Sequence, residues 1–275
     1  MSEDSNSSLT DCLDLEIDSL PVATTATLSL AAFLWLVLLA GWLPMPMAGV
    51  DAPMAGVDAP MSAPGVPELI GTANGLAGVG AYLLVWGTMM MAMMLPSMVP
   101  AVRRFSAELC GPIRRTLPPA AAFVGAYALA WTLTGIVPLA VDAVVSIRSL
   151  AVDGGPLFVA SLLLLAGVYQ LTQLKRGLLE RCRGCLGVCH RPGVVDGLRH
   201  GFEHAVRCIG CTWALFALMV GLGSMNPLVM VGLTLVVSLE RLADESDRYA
   251  LATGAVLLAG GALAVGVAVG GPLPA

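Results

Sequence analysis

The sequence predicts an all-α, polytopic transmembrane helix bundle of about seven spans, with the N-terminus in and the C-terminus out. Three observations carry that expectation. Hydrophobic residues make up 57% of the chain against 12% charged, whereas a soluble domain carries about twice that charged fraction. Seven apolar stretches approach the ~20 residues a helix needs to cross hydrocarbon. Basic residues gather in alternate connections between those stretches.

Residues 1–21 form an acidic tail (Glu3, Asp4, Asp11, Asp14, Glu16, Asp18) without Lys or Arg, placed in the cytoplasm. Lacking a positive n-region, it does not look like a cleaved signal peptide. The first span is expected over 22–43. Residues 44–75 follow as an external linker, in which 46–52 is repeated as 53–59 and decays over 60–66. A proline every seventh residue, with Gly and Asp between, holds neither a helix nor a strand ladder. Its Pro-Met steps offer soft sulfur to a metal, while slippage of a repeat is the plainer origin of the pattern. Six further spans, a membrane domain over 76–271, are expected at 76–99, 117–141, 156–174, 205–222, 226–239 and 249–270. Six spans in all is the main alternative, because the stretch 226–239 is short and 205–222 opens with polar residues. Asn226-Pro227 reads as a turn and helix start. Gly266 and Gly270 in the last span have the spacing that lets helices approach closely in lipid.

Orientation comes from the loops. Arg103, Arg104, Arg114 and Arg115 follow span two. Lys175, Arg176, Arg181, Arg183, Arg191, Arg199 and Arg207 follow span four, and Arg241 and Arg248 follow span six. Only Arg148 falls on the other side. Under the positive-inside rule the three basic connections are cytoplasmic. With a net charge of −5 and a single lysine, the polar surface is acidic and lysine-poor, as a high-salt cytoplasm favours. No dense basic run is interleaved with aromatics, so nucleic acid is not an expected partner. The lipid bilayer is, in a multi-pass protein of the cell membrane.

Chemistry concentrates in one window. Cys182, Cys185, Cys189, Cys208 and Cys211 fall within thirty residues, together with all three histidines, His190, His200 and His204. Cys182–Cys185 and Cys208–Cys211 are Cys-x-x-Cys pairs, a spacing at which two thiolates can share a tetrahedral metal ion. If a helix begins near Gly201, then His200, His204, Cys208 and Cys211 lie within about 80° of one face, and Met219 continues the stripe. A reducing cytoplasm keeps such thiols free. Metal binding, redox-active thiol pairs and plain buried cysteine all remain open at this point.

Span two carries Met89, Met90, Met91, Met93 and Met94, with Met98 beyond Pro96. Thioether sulfur selects Cu(I) over harder cations, and Met90, Met93 and Met94 lie on a face near Ser97; pliable core filler is the plainer role for methionine. Pro96 is expected to kink the helix and free the Ala92 carbonyl. Span four ends in Tyr169, Gln170, Thr172, Gln173 and Lys175, polar groups that in lipid must face protein, by default in interhelical hydrogen bonds. Glu240 and Arg241 read as an interfacial anchor pair. A phosphate loop, a nucleophile elbow and a His-Glu-x-x-His motif are missing, which excludes a nucleotide-driven pump for this chain by itself; an enzymatic role stays open as the less favoured reading.

Taken together, these motifs resemble a family. Trp86, Met89, Ala92, Met94, Pro96 and Ser97, then Tyr169 to Lys175, Cys182, and Gly201, His204, Cys208, Gly210, Cys211 and Trp213 are similar to a family of predicted metal-binding integral membrane proteins, some labelled copper chaperones. Met225-Asn226 and Glu240-Arg241 also look like its pattern, over roughly residues 80–242. Thr212 stands where that family usually has a further cysteine, and Gln173 where it has proline.

The expected function is binding of a soft transition metal, copper(I) favoured and zinc the alternative, for handling or transfer to a metal-receiving protein. The expected ligands are Cys182, Cys185, His204, Cys208, Cys211 and His200, with Met90, Met93 and Met94 as an intramembrane set. A thiol–disulfide oxidoreductase and a structural subunit with a zinc-clamped loop are the competing readings.

Overall fold

The computed structural model describes residues 22–43, 61–109, 113–183 and 193–270, and these are helical throughout apart from turns. The acidic tail, most of the repeat, Cys185, Cys189 and His190 lie outside the described residues. In chain order the helices are α1 (Val22–Leu39), then α2 (Val66–Ala73), α3 (Gly75–Ala107), α4 (Ile113–Thr134), α5 (Ile136–Val144), α6 (Ile147–Leu171), α7 (Gln173–Arg183), α8 (Val194–Gly223), α9 (Pro227–Leu242) and α10 (Ser246–Gly270).

Among the described residues, six units are long and apolar enough to cross a membrane: α1, α3, the α4–α5 pair, α6, α8 and α10. The stretch expected as span 226–239 is α9, whose 16 residues reach about 24 Å at 1.5 Å per residue. Its start follows from the sequence: Pro227 opens the helix, and the Asn226 side chain accepts from the Leu228 N–H at 3.0 Å. The expected linker 44–75 ends in helix, because α2 occupies its last part.

α3 is the central element. In its most apolar window 67% of residues are buried, against 11% in α1 and in α10, so these two present apolar surface outward while α3 is enclosed. The helix runs on through Pro96 and Pro100. Ser97 donates to the Met94 carbonyl at 2.9 Å, a local side-chain bond on the turn that the proline ring interrupts. The α3 methionines pack with Tyr82, Trp86, Phe105, Phe123, Tyr127, Trp131 and Met219 into one core. In α6 the chain turns at Gly155, whose φ of +46° is a left-handed conformation that glycine adopts without strain. The apolar run predicted from Pro156 begins just after it.

Glycine sets two close helix approaches. A Cβ on Gly197 or Gly201 of α8 would strike the carbonyls of Pro119 and Phe123 in α4. On α10, Gly254 and Gly261 lie against Leu171 and Leu164 of α6. The small-residue face is therefore Gly254 and Gly261, within the chain. Gly266 and Gly270 meet nothing within 4 Å, so the contact expected from their spacing is replaced by one a few turns earlier, where α6 runs alongside.

Glu240 and Arg241 correct a second expectation. They are not an interfacial pair, since both are buried and turn to different partners. Glu240 receives Lys175 Nζ at 2.6 Å and Gln170 Nε2 at 2.6 Å, tying α9 to α6 and α7. The interhelical bond expected of Gln170 is this one. With carboxylate, ammonium and amide out of water, removing any one leaves an uncompensated polar group. At the other end of α9, Glu68 of α2 is fully buried and accepts from Tyr82 at 2.9 Å and Ser224 at 2.9 Å. Burial pushes its carboxyl above the ordinary value of 4.5, because the charged form is poorly solvated there.

Candidate metal centre

The stripe read from the sequence turns inward. His200, His204, Cys208, Cys211 and Met219 of α8 are all buried, which is what the inward face of a helix packed on α4, α6 and α7 requires. Cys182, in the last turn of α7, is brought to the same place. Hydrogen bonding with the Cys208 and Cys211 thiols and burial together push its thiol well above the usual range. All three are free cysteines.

Neighbours fix the trio. The Tyr127 hydroxyl of α4 lies 2.9 Å from Cys208 Sγ. Cys211 Sγ points back to the Cys208 carbonyl at 3.2 Å, and Thr212 donates to the same oxygen at 2.7 Å. Arg241 enters from α9 and donates to Cys211 Sγ at 3.2 Å, to the Cys208 carbonyl at 3.3 Å and to Ser97 at 3.2 Å. A fixed positive charge therefore sits beside the Cys211 sulfur in a region of low polarity. Arg104 of α3 donates to the Arg183 carbonyl and holds the end of α7 against the group.

His204 is the remaining nitrogen donor. Its ring lies among Tyr127 and Phe123, with centroids 5.6 and 6.2 Å away, and its Nε2 is buried with no hydrogen-bond partner among the described residues. A buried ring nitrogen without a partner is uncommon in a folded chain. His204, Cys182, Ser97, Arg241, Arg104 and Asp244 are among the residues that line one cavity of about 220 Å³.

The other expected ligands are placed elsewhere. His200 packs on Phe105 and has Glu203 3.9 Å from its Nδ1. Met90, Met93 and Met94 are fully buried in the core, one to two turns before Ser97. Cys185 falls outside the described residues. Among the described residues, no three His, Cys, Asp or Glu side chains already stand as a metal-ligand group; the thiols satisfy one another instead. Arg241 and Tyr127 were missed in the sequence. A charge closing an apolar helix was the available signal for Arg241; Tyr127 had none, being one aromatic in an apolar run.

The donor set fits a soft ion better than a hard one. Three sulfurs and an imidazole suit Cu(I), and no carboxylate shares their hydrogen bonds. A family model described as PpoB2, copper chaperone, matches residues 83–264, a range that takes in every residue of this site. No curated protein and no solved structure matches the chain.

Proposed function

The chain belongs to this copper-chaperone family, and from that premise we propose that it is an integral membrane protein that binds Cu(I) at Cys182, Cys208 and Cys211 and hands it to a receiving protein. The observation that carries the reading is the meeting of three buried free thiols from α7 and α8, one of which, Cys182, lines the same cavity as His204 with its unpartnered Nε2. Cu(I) accepts few, soft ligands, so on loading the thiols exchange their mutual hydrogen bonds for sulfur–metal bonds. Thiolates on Cu(I) leave a net negative charge, and the Arg241 guanidinium beside Cys211 is placed to balance it.

Apolar outward surfaces on α1 and α10 support insertion in a bilayer. Under the positive-inside rule the basic connections support a cytoplasmic α7 end, with α9 as a short additional span, the N-terminus in and the C-terminus out. The cavity beside Cys182 then opens toward the cytoplasm, where a soluble receiver is met. Zinc draws no support from the family.

The test is metal content. Protein purified anaerobically, loaded with Cu(I) and desalted, is expected to retain copper, and Cys208→Ser/Cys211→Ser to lose most of it. Equal copper in both removes the site.

A further inference from the structure

The repeat that precedes α2 and the methionines outside the thiol cluster are unused by the function above. A cavity of about 250 Å³ lies between the end of α1, the turn before α2, α3 and the α8–α9 turn. Four of its eleven lining residues are methionines, Met61, Met89, Met225 and Met230, in a chain with 14 methionines among 275 residues. They come from three separate stretches, the turn before α2, α3 and the α8–α9 turn with the start of α9, so the fold itself brings them together. No Cys, His or carboxylate lines this cavity. Methionine acting as filler closes space; these four border open volume.

The cavity is held in place. Tyr82 and Ser224 both donate to Glu68, which anchors α2 to α3 and to the end of α8. The Ser62 carbonyl lies against Gly223, whose φ of +108° and lack of a Cβ permit the approach. Met61 is thereby fixed near Met225. Met230 sits in the first turn of α9 and Arg241 in the last, a separation of about 16 Å along the axis. The cavity is thus at the opposite end of the bundle from the thiols. Met89 opens the buried run that continues through Met90, Met93 and Met94 toward Ser97. In the sequence, Met45, Met47 and Met54, each after a proline, precede Met61.

We propose that this cavity is a second soft-metal site, which takes Cu(I) through thioether sulfur alone on the membrane face opposite the thiol cluster. Thioethers are neutral and select Cu(I) from harder cations, and no cationic side chain lines the cavity to repel the ion. It loads or unloads the ion that the thiols hold at the other end. The inference rests on the copper reading but occupies different residues and fails separately from it.

The experiment uses the full chain with all seven cysteines replaced by serine, loaded anaerobically with one equivalent of Cu(I) and examined by copper X-ray absorption. Sulfur around the metal is then thioether sulfur. The expected result is a sulfur shell that is lost, with at least tenfold weaker binding, in Met61→Leu/Met225→Leu/Met230→Leu, which preserves side-chain volume. A sulfur shell that survives those changes, or none in the cysteine-free protein, overturns the proposal. Should the cysteine-free chain fail to fold, the same three changes in the natural sequence are expected to lower Cu(I) capacity by one ion per chain. Unchanged capacity overturns it equally. Failure of the thiol site reads out instead as equal copper in the natural protein and Cys208→Ser/Cys211→Ser.

Discussion

Arg241 Nη2 lies 3.2 Å from Cys211 Sγ, so a guanidinium from the end of α9 is wedged against a thiol in the middle of α8. Together with its bonds to Ser97 and the Cys208 carbonyl, this contact joins three helices at the site. Exchanging Arg241 for Gln removes the charge and keeps hydrogen-bonding capacity. Cu(I) affinity in competition with a chromophoric chelator is expected to fall about tenfold, or about 1.4 kcal/mol. Lys restores only part of this, since it lacks the planar fork that reaches sulfur and carbonyl at once. Unaltered affinity in Arg241→Gln would separate the guanidinium from metal binding.

The Lys175–Glu240 pair is buried at both ends, with exposures of 0% and 1%. Glu240→Gln strands an ammonium in the bundle and is expected to cost about 3–5 kcal/mol, seen as a lower midpoint of thermal unfolding in detergent. The double change Lys175→Met/Glu240→Leu is expected to cost less than that single change. Greater loss in the double would mean the pair itself contributes net stability.

Glu68 makes stability depend on pH. Its folded carboxyl titrates above the ordinary 4.5, so the folded state holds the proton more tightly. The stabilisation is complete below that ordinary value and is lost as pH rises through the raised one. Thermal midpoints measured from pH 4 upward are expected to decline in the natural protein. In Glu68→Gln, which cannot ionise but still accepts from Tyr82 and Ser224, that part of the decline disappears. Parallel profiles would show that Glu68 does not titrate in this range.

Helix contact along α4 and α8 is expected to be intolerant of a single methyl group. Gly201→Ala drives a Cβ into the Phe123 carbonyl and is expected to destabilise by about 1–3 kcal/mol, whereas Gly266→Ala, in open space, should change little. Thermal unfolding of the two side by side decides this.

Much of the architecture was legible because hydropathy alone dictates it. Apolar runs of bilayer length became helices, and Asn226-Pro227 opened α9 as the cap chemistry requires. The inward stripe from His200 to Met219 was readable from the helical period. What the sequence did not disclose was tertiary. Glu240 and Arg241 are adjacent and oppositely charged, so a local pair was the natural reading, and only packing of α9 between other helices sends them to Lys175 and to the thiols. Gly254 and Gly261 outrank Gly266 and Gly270 as packing positions because α6 lies beside them, and spacing carries no information about a neighbour. Met90, Met93 and Met94 share a helix face, yet the methionines that border a cavity together are Met61, Met89, Met225 and Met230, contributed by three stretches well separated in the chain.

The most direct test of the thiol centre is anaerobic Cu(I) titration of the natural protein beside Cys182→Ser, with copper X-ray absorption on both. Cys182 reaches the trio from α7 while Cys208 and Cys211 share α8. A sulfur shell that loses one member in Cys182→Ser, with weaker binding, is the expected result. An identical shell and affinity in the two proteins would contradict a site shared between α7 and α8.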